Sequence, residues 1–172
     1  MPINKGTKPP DVRNIYTASP FILKATNVPN AIAIGKVFAD YKVRFFDQDN
    51  DKLTIKLDYV NGPESGTGIG GFVSGNGSDF SLFVKVHAVN SDTSAEVLQI
   101  ISGTITAEGI KNFYYTIFIL EDYGDLKNIW IDKEQGRVIY DSDGVSPVIS
   151  SLKSQAMDMK EGVSVSSGAA KK

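Results

Sequence analysis

The chain has 172 residues, 41% of them hydrophobic and 22% charged, with a formal net charge of −2. That length suffices for one well-buried core and is short for two, and the mixed signs leave no basic footprint for neutralising phosphates, which speaks against nucleic acid as a partner. Cysteine is absent, which removes disulfides, thiolate nucleophiles, iron–sulfur clusters and cysteine-based zinc sites.

Residues 1–15, with Pro2, Pro9 and Pro10, read as a flexible leader. The stretch MPINKGTKPPD lacks the apolar core of a signal peptide, and no apolar run reaches the length of a membrane span. The abundance of Ser, Thr, Asn and Gly leads us to expect an extracytoplasmic protein, periplasmic or secreted after loss of a leader, with a cytoplasmic one as the alternative.

Residues 16–160 read as a single β-domain. Phe21, Ile22 and Leu23 form a short first strand, bounded by Pro20 and Pro29, which cannot donate to a ladder. The clearest signal follows. Val37, Ala39, Tyr41, Val43 and Phe45 alternate with Lys36, Asp40, Lys42 and Arg44, and after an acidic break Leu53, Ile55, Leu57 and Tyr59 alternate with Lys52, Thr54, Lys56 and Asp58. Successive strand side chains point to opposite faces, so period two predicts strands over 36–46 and 52–60 with one buried and one wet side. Residues 61–71, dense in glycine, read as a loop. Phe72 and Val73 start a short strand, broken at Gly75-Asn76-Gly77. Residues 79–89 alternate again, with Phe80, Leu82, Val84, Val86 and Ala88 inward. Strands over 95–106 and 110–121 follow, the latter apolar on both faces, and a hairpin pairs Ile129–Ile131 with Arg137–Tyr140.

After Gly144 the spacing predicts one helix. Ser146 suits the N-cap and Pro147 the first turn, and Val148, Ile149, Leu152, Ala156 and Met159 recur at three- and four-residue steps. Residues 161–172 read as a disordered tail. The fold class expected is therefore all-β, an antiparallel meander of about eight strands closing into a barrel with one C-terminal helix, or alternatively a β-sandwich.

Ser102-Gly103-Thr104-Ile105-Thr106, Gly109-Ile110 and Gly136-Arg137-Val138-Ile139-Tyr140-Asp141-Ser142-Asp143-Gly144, with the strand order and the late helix, resemble the calycin group of lipocalins and avidins, and small exported bacterial β-barrel proteins of no assigned function. The resemblance is one of architecture. The Gly-x-Trp signature of lipocalins is missing, since the only tryptophan is Trp130, so no family ligand residue carries over and no cofactor is implied.

Several constellations invite chemistry. Asp47, Asp49 and Asp51 have the one-three-five spacing of a calcium loop with Asp58 at the twelfth position, yet Lys52 stands where the sharp turn needs glycine, and a polar hairpin turn explains the same residues. Gly66-Thr67-Gly68-Ile69-Gly70-Gly71 fits the dinucleotide fingerprint as a string, but a strand follows where the mechanism requires a helix. His87, the sole histidine, shares parity with Ser81, Phe83 and Lys85 and belongs to the outer face. No pair of carboxylates stands out for proton transfer. Asn76-Gly77-Ser78 matches the glycosylation sequon, and a tight turn explains it equally.

The inward tyrosines are the better lead. Tyr41, Tyr59 and Tyr115 share parity with the apolar faces, Gln99 is a polar residue among them, and Trp130 falls near a rim. Such groups either satisfy one another in a filled interior or line a pocket. We therefore expect a non-catalytic barrel binding a small apolar or amphipathic ligand through Tyr41, Tyr59, Gln99, Tyr115 and Trp130, free of metal and cofactor, with a homo-oligomer compatible. The alternatives are a structural or interaction module, such as a cell-surface or virion assembly component, and an enzyme on a barrel scaffold.

Overall fold

The computed structural model describes residues 1–30 and 32–152, leaving aside the side chain of Ile69. The described residues form twelve strands and no helix: β1 Thr7–Lys8, β2 Asn14–Ala18, β3 Phe21–Thr26, β4 Val37–Phe38, β5 Tyr41–Asp49, β6 Thr54–Asn61, β7 Glu64–Asn76, β8 Asp79–Asn90, β9 Thr93–Thr106, β10 Gly109–Glu121, β11 Gly136–Asp141 and β12 Val145–Ser146. Alternation governs burial as the pattern requires. In β5, Tyr41, Val43 and Phe45 are buried while Arg44 is exposed, and in β8 Phe80, Leu82, Val84, Val86 and Ala88 are inaccessible to solvent.

One sheet holds all twelve strands. From β5 to β10 each strand pairs antiparallel with the next, an arrangement short hairpin turns allow. β10 then pairs with β11 through Tyr114–Phe118 and with β12 through Ile110 and Lys111. β11 pairs with β3, and β2 pairs with β5. The segment after β12 lies on the other side of β2: Thr17 N–H donates to the Pro147 carbonyl at 3.1 Å and Ile149 N–H to the Ile15 carbonyl at 2.9 Å. The path of backbone bonds thus leaves β2 through β5 and comes back to it. β1 pairs parallel with the Gly75–Asn76 end of β7, which makes the sheet mixed.

Four expectations are corrected. Residues 146–149 are extended rather than the start of a helix, because β2 and β10 each present a backbone edge that a strand satisfies and a helix cannot, and bends follow at Ser150 and Leu152; residues 153–160, the rest of the expected helix, and the tail 161–172 lie outside the described residues. The glycine-rich stretch 61–71 is not a loop but a turn at Gly62-Pro63 followed by β7. Ile129–Ile131 forms no strand, and β11 takes β10 and β3 as its partners instead. Residues 1–15, expected as a leader, are packed into the fold: Asn4 N–H donates to Ser81 Oγ at 2.8 Å, Ser74 Oγ donates to the Asn4 carbonyl at 2.7 Å, Val12 is fully buried in the core, and Asn14 opens β2.

The buried face is dominated by rings. Tyr41 lies 5.2 Å from Phe21, 5.5 Å from Tyr59 and 4.6 Å from Tyr115, centroid to centroid. The glycines of β7 make room for them. A Cβ on Gly66 would stand 2.6 Å from Tyr59 Cε1, and one on Gly68 would stand 2.3 Å from Val84 Cγ1. The run that imitates a nucleotide-binding loop is a packing device.

Candidate functional site

At the end of the sheet where β5 begins and β6 ends, the buried face turns polar. Tyr115 sits opposite Ile101 in the β9–β10 register and Gln99 opposite Ile117, so both side chains point to the same face two residues apart. Tyr41, the first residue of β5, reaches them from across the core. Its hydroxyl donates to Gln99 Oε1 at 2.9 Å, and Gln99 Nε2 donates to Tyr115 Oη at 3.2 Å. All three residues are at most 3% exposed. An amide between two phenols pairs both of its ends, as buried polar groups require.

Tyr59 continues the row. Its hydroxyl donates to Glu64 Oε1 at 2.5 Å across the β6–β7 turn. Burial pushes the Glu64 carboxyl up from its ordinary range, against the Tyr59 hydrogen bond and the nearby Arg137 charge, which both favour the anion. The same burial, and then the Glu64 charge, push the Tyr59 and Tyr41 hydroxyls up. Tyr115 is pushed up by burial first and then by its neighbours Tyr41 and Glu64. All three phenols are therefore neutral, with Tyr41 and Tyr59 donating and Tyr115 accepting from Gln99.

Arg137 completes the cluster. β11 places it between Ile117 of β10 and Thr26 of β3. Burial lowers its pKa, and its Nε is buried without a hydrogen-bond partner. Its guanidinium lies 5.7 Å from the centre of the Phe38 ring. The loops on either side form the rim. Residues 122–135 precede β11, residues 27–30 and 32–36 follow β3, and the two are tied by Asn27 Nδ2 donating to the Glu134 carbonyl at 3.2 Å. Trp130 lies in the first of these loops, 9% exposed, its Nε1 donating to Thr93 Oγ1 at 3.1 Å and its backbone N–H to Asp125 Oδ2 at 2.7 Å. Around it the loops expose Ile34 and Leu126, at 62% and 98%, together with Ile32, Tyr123 and Ile129.

The structure thus brings Tyr41, Tyr59, Gln99 and Tyr115 together and leaves Trp130 at the rim. Glu64 and Arg137 escaped the sequence reading. Their parity was the available signal, because Glu64 is in phase with Gly66 and Gly68, and Arg137 with buried Ile139 and Asp141. Elsewhere, Asp47 accepts from Lys56 Nζ at 2.9 Å, and Asp49 pairs with Lys52 at 3.0 Å and accepts the backbone N–H groups of Asp51 and Lys52. Lysines and turn amides occupy those carboxylates; no set of three or more metal-binding side chains comes together among the described residues. His87 is exposed on the outer face, its Nδ1 3.0 Å from Glu96 Oε1. No family model, curated protein or solved structure matches the chain.

Proposed function

We propose that the chain is a non-catalytic ligand-binding β-barrel of eight staves. In this reading β2–β3 and β4–β5 each form one bent stave and β11–β12 forms the last, which agrees with the pairing of β11 to β3 and of residues 147–149 to β2. The ligand is small and amphipathic. It lodges at the polar end of the interior, with its acceptor head on Arg137 and its apolar part against Phe38, Trp130 and the exposed side chains of the rim. The observation that carries this is the buried Arg137 Nε without an acceptor, since an unmatched donor of that strength is costly unless a ligand supplies its partner. Deep entry is not part of the proposal, because Tyr41, Gln99 and Tyr115 already satisfy one another.

Amide-resolved NMR titration with decanoate tests it. Saturable shifts at Phe38, Trp130 and Arg137, weakened at least tenfold (about 1.4 kcal/mol) by Arg137→Gln, are expected. Shifts scattered over the outer wall, or an affinity indifferent to Arg137→Gln, would refute it. The interaction-module reading has one observation in its favour, the near-complete exposure of the large apolar Leu126. Its mark would be a multimer by light scattering that dissociates in Leu126→Ser.

A further inference from the structure

A second cleft opens on the outer wall, remote from the interior cluster. It measures about 320 Å³ and lies between the N-terminal segment and the outer side of β8, β9 and β10. Its polar lining is Asn4, Asp79, Ser102, Thr104, Asn112 and Tyr114. We propose that this cleft is a binding site for a neutral pyranose sugar.

The cleft exists because of a fault in the β9–β10 ladder. The register shifts between Lys111 and Tyr114, and Asn112 takes a left-handed backbone with φ of 52°. The extra residue sends Phe113 into the core, 1% exposed, and leaves Asn112 beside Tyr114 on the outside. The N-terminal segment then walls the opening, since Asn4 is tied by its backbone N–H to Ser81 and by its Nδ2 to the Phe80 carbonyl at 2.9 Å. Bulges re-aim side chains at functional positions, and this one does so toward a lined hollow.

The decisive group is Ser102. It is 1% exposed, it lines the cleft, and its Oγ has no hydrogen-bond partner. A buried hydroxyl without a partner in a folded protein calls for one, and here the open side is the cleft. Around it the chemistry is mixed but coherent. Asp79 offers carboxylate oxygens, one already accepting from Thr104 Oγ1 at 2.6 Å. Asn112 adds an amide, and Tyr114 adds an aromatic ring held in place by Tyr140, 6.1 Å away and near-parallel, and by Lys24 Nζ, which donates to Tyr114 Oη at 2.8 Å. No lysine or arginine lines the cleft, and Asp79 is its only carboxylate, so neither an anion nor a bare metal ion finds its complement. A ligand with several hydroxyls, each both donor and acceptor, and one C–H face for a ring does.

Titration of the whole chain with the methyl glycosides of glucose, galactose and mannose, followed by amide NMR, reads this directly. We expect one glycoside to give saturable shifts at Gly103, Thr104 and Asn112 with a dissociation constant in the millimolar range, and Asp79→Asn and Ser102→Ala each to weaken it at least tenfold. Ser102→Ala should leave the unfolding midpoint unchanged or raised, since it removes a hydroxyl that bonds to nothing in the free protein. Glycerol, which has the hydroxyls without the ring face, should not compete. The proposal is overturned if no glycoside saturates, if glycerol or acetate binds as well, or if Asp79→Asn is without effect. Because decanoate is read at Arg137 and the glycosides at Asn112, failure of either site leaves the other standing.

Discussion

Gln99 shows what one buried polar residue can organise. Its amide joins the Tyr41 and Tyr115 hydroxyls, and all three residues are buried. Replacing it alone strands two hydroxyls, the donor on Tyr41 and the acceptor on Tyr115, in an apolar interior, where each unpaired group costs about 1–3 kcal/mol. Gln99→Leu should therefore lower the urea midpoint markedly, while the triple change Tyr41→Phe, Gln99→Leu, Tyr115→Phe should recover most of the loss. Equal destabilisation of both variants would mean that the network contributes shape and not hydrogen bonding. Gly68 makes the complementary point through absence. Its added Cβ would meet Val84 Cγ1 at 2.3 Å, so Gly68→Ala overpacks the wall and should cost about 1–3 kcal/mol by denaturant unfolding, where a true loop glycine would tolerate the change.

At the scale of elements, the joint between β11, β12 and β2 depends on Asp141. It is 3% exposed, accepts from Ser146 Oγ at 2.6 Å and from Ser19 N–H at 3.3 Å, and leaves its other oxygen without a partner. Burial, followed by the proximity of Asp143, pushes its pKa up. Because the folded value exceeds the unfolded one, the stability tied to this group is fully present below the ordinary aspartate pKa of about 3.9 and is lost as pH rises through the raised value. Asp141→Asn keeps an acceptor for Ser146 and Ser19 and removes the charge. It should be more stable than the parent at neutral pH, with the advantage shrinking toward acid, as urea unfolding across pH would reveal. A variant weaker at every pH would mean that the carboxylate is needed as an anion. The same joint explains why no helix starts at Ser146: residues 146–149 carry a helix-compatible spacing, but two open backbone edges compete for them and win.

For the whole molecule, the circuit of pairings predicts where the fold opens. The ladders joining β8, β9 and β10 are long, with the β8–β9 register unbroken from Asp79 to Asn90, whereas residues 27–30, 32–36 and 122–135 belong to no strand and make only scattered backbone hydrogen bonds, such as those of Gly35 and Lys36 to Leu23 and of Glu134 and Gln135 to Ile119. Hydrogen exchange should be slowest in β8 and β9 and fastest in those two loops. Protection as high in 122–135 as in β9 would contradict the assignment of these loops as the rim.

Alternation by itself determined β5, β6, β8, β9 and β10 and which of their residues face inward, the tyrosines and glutamine of the interior among them, because period two is a local property of the backbone. Where the chain pairs with itself over long range, the text was silent. That the Arg137 charge reaches Glu64, that a glycine run is a strand, that the first residues wall a cleft and that residues 146–149 are extended were decided only by the tertiary structure, because each depends on partners distant in sequence whose edges and volumes no local pattern encodes.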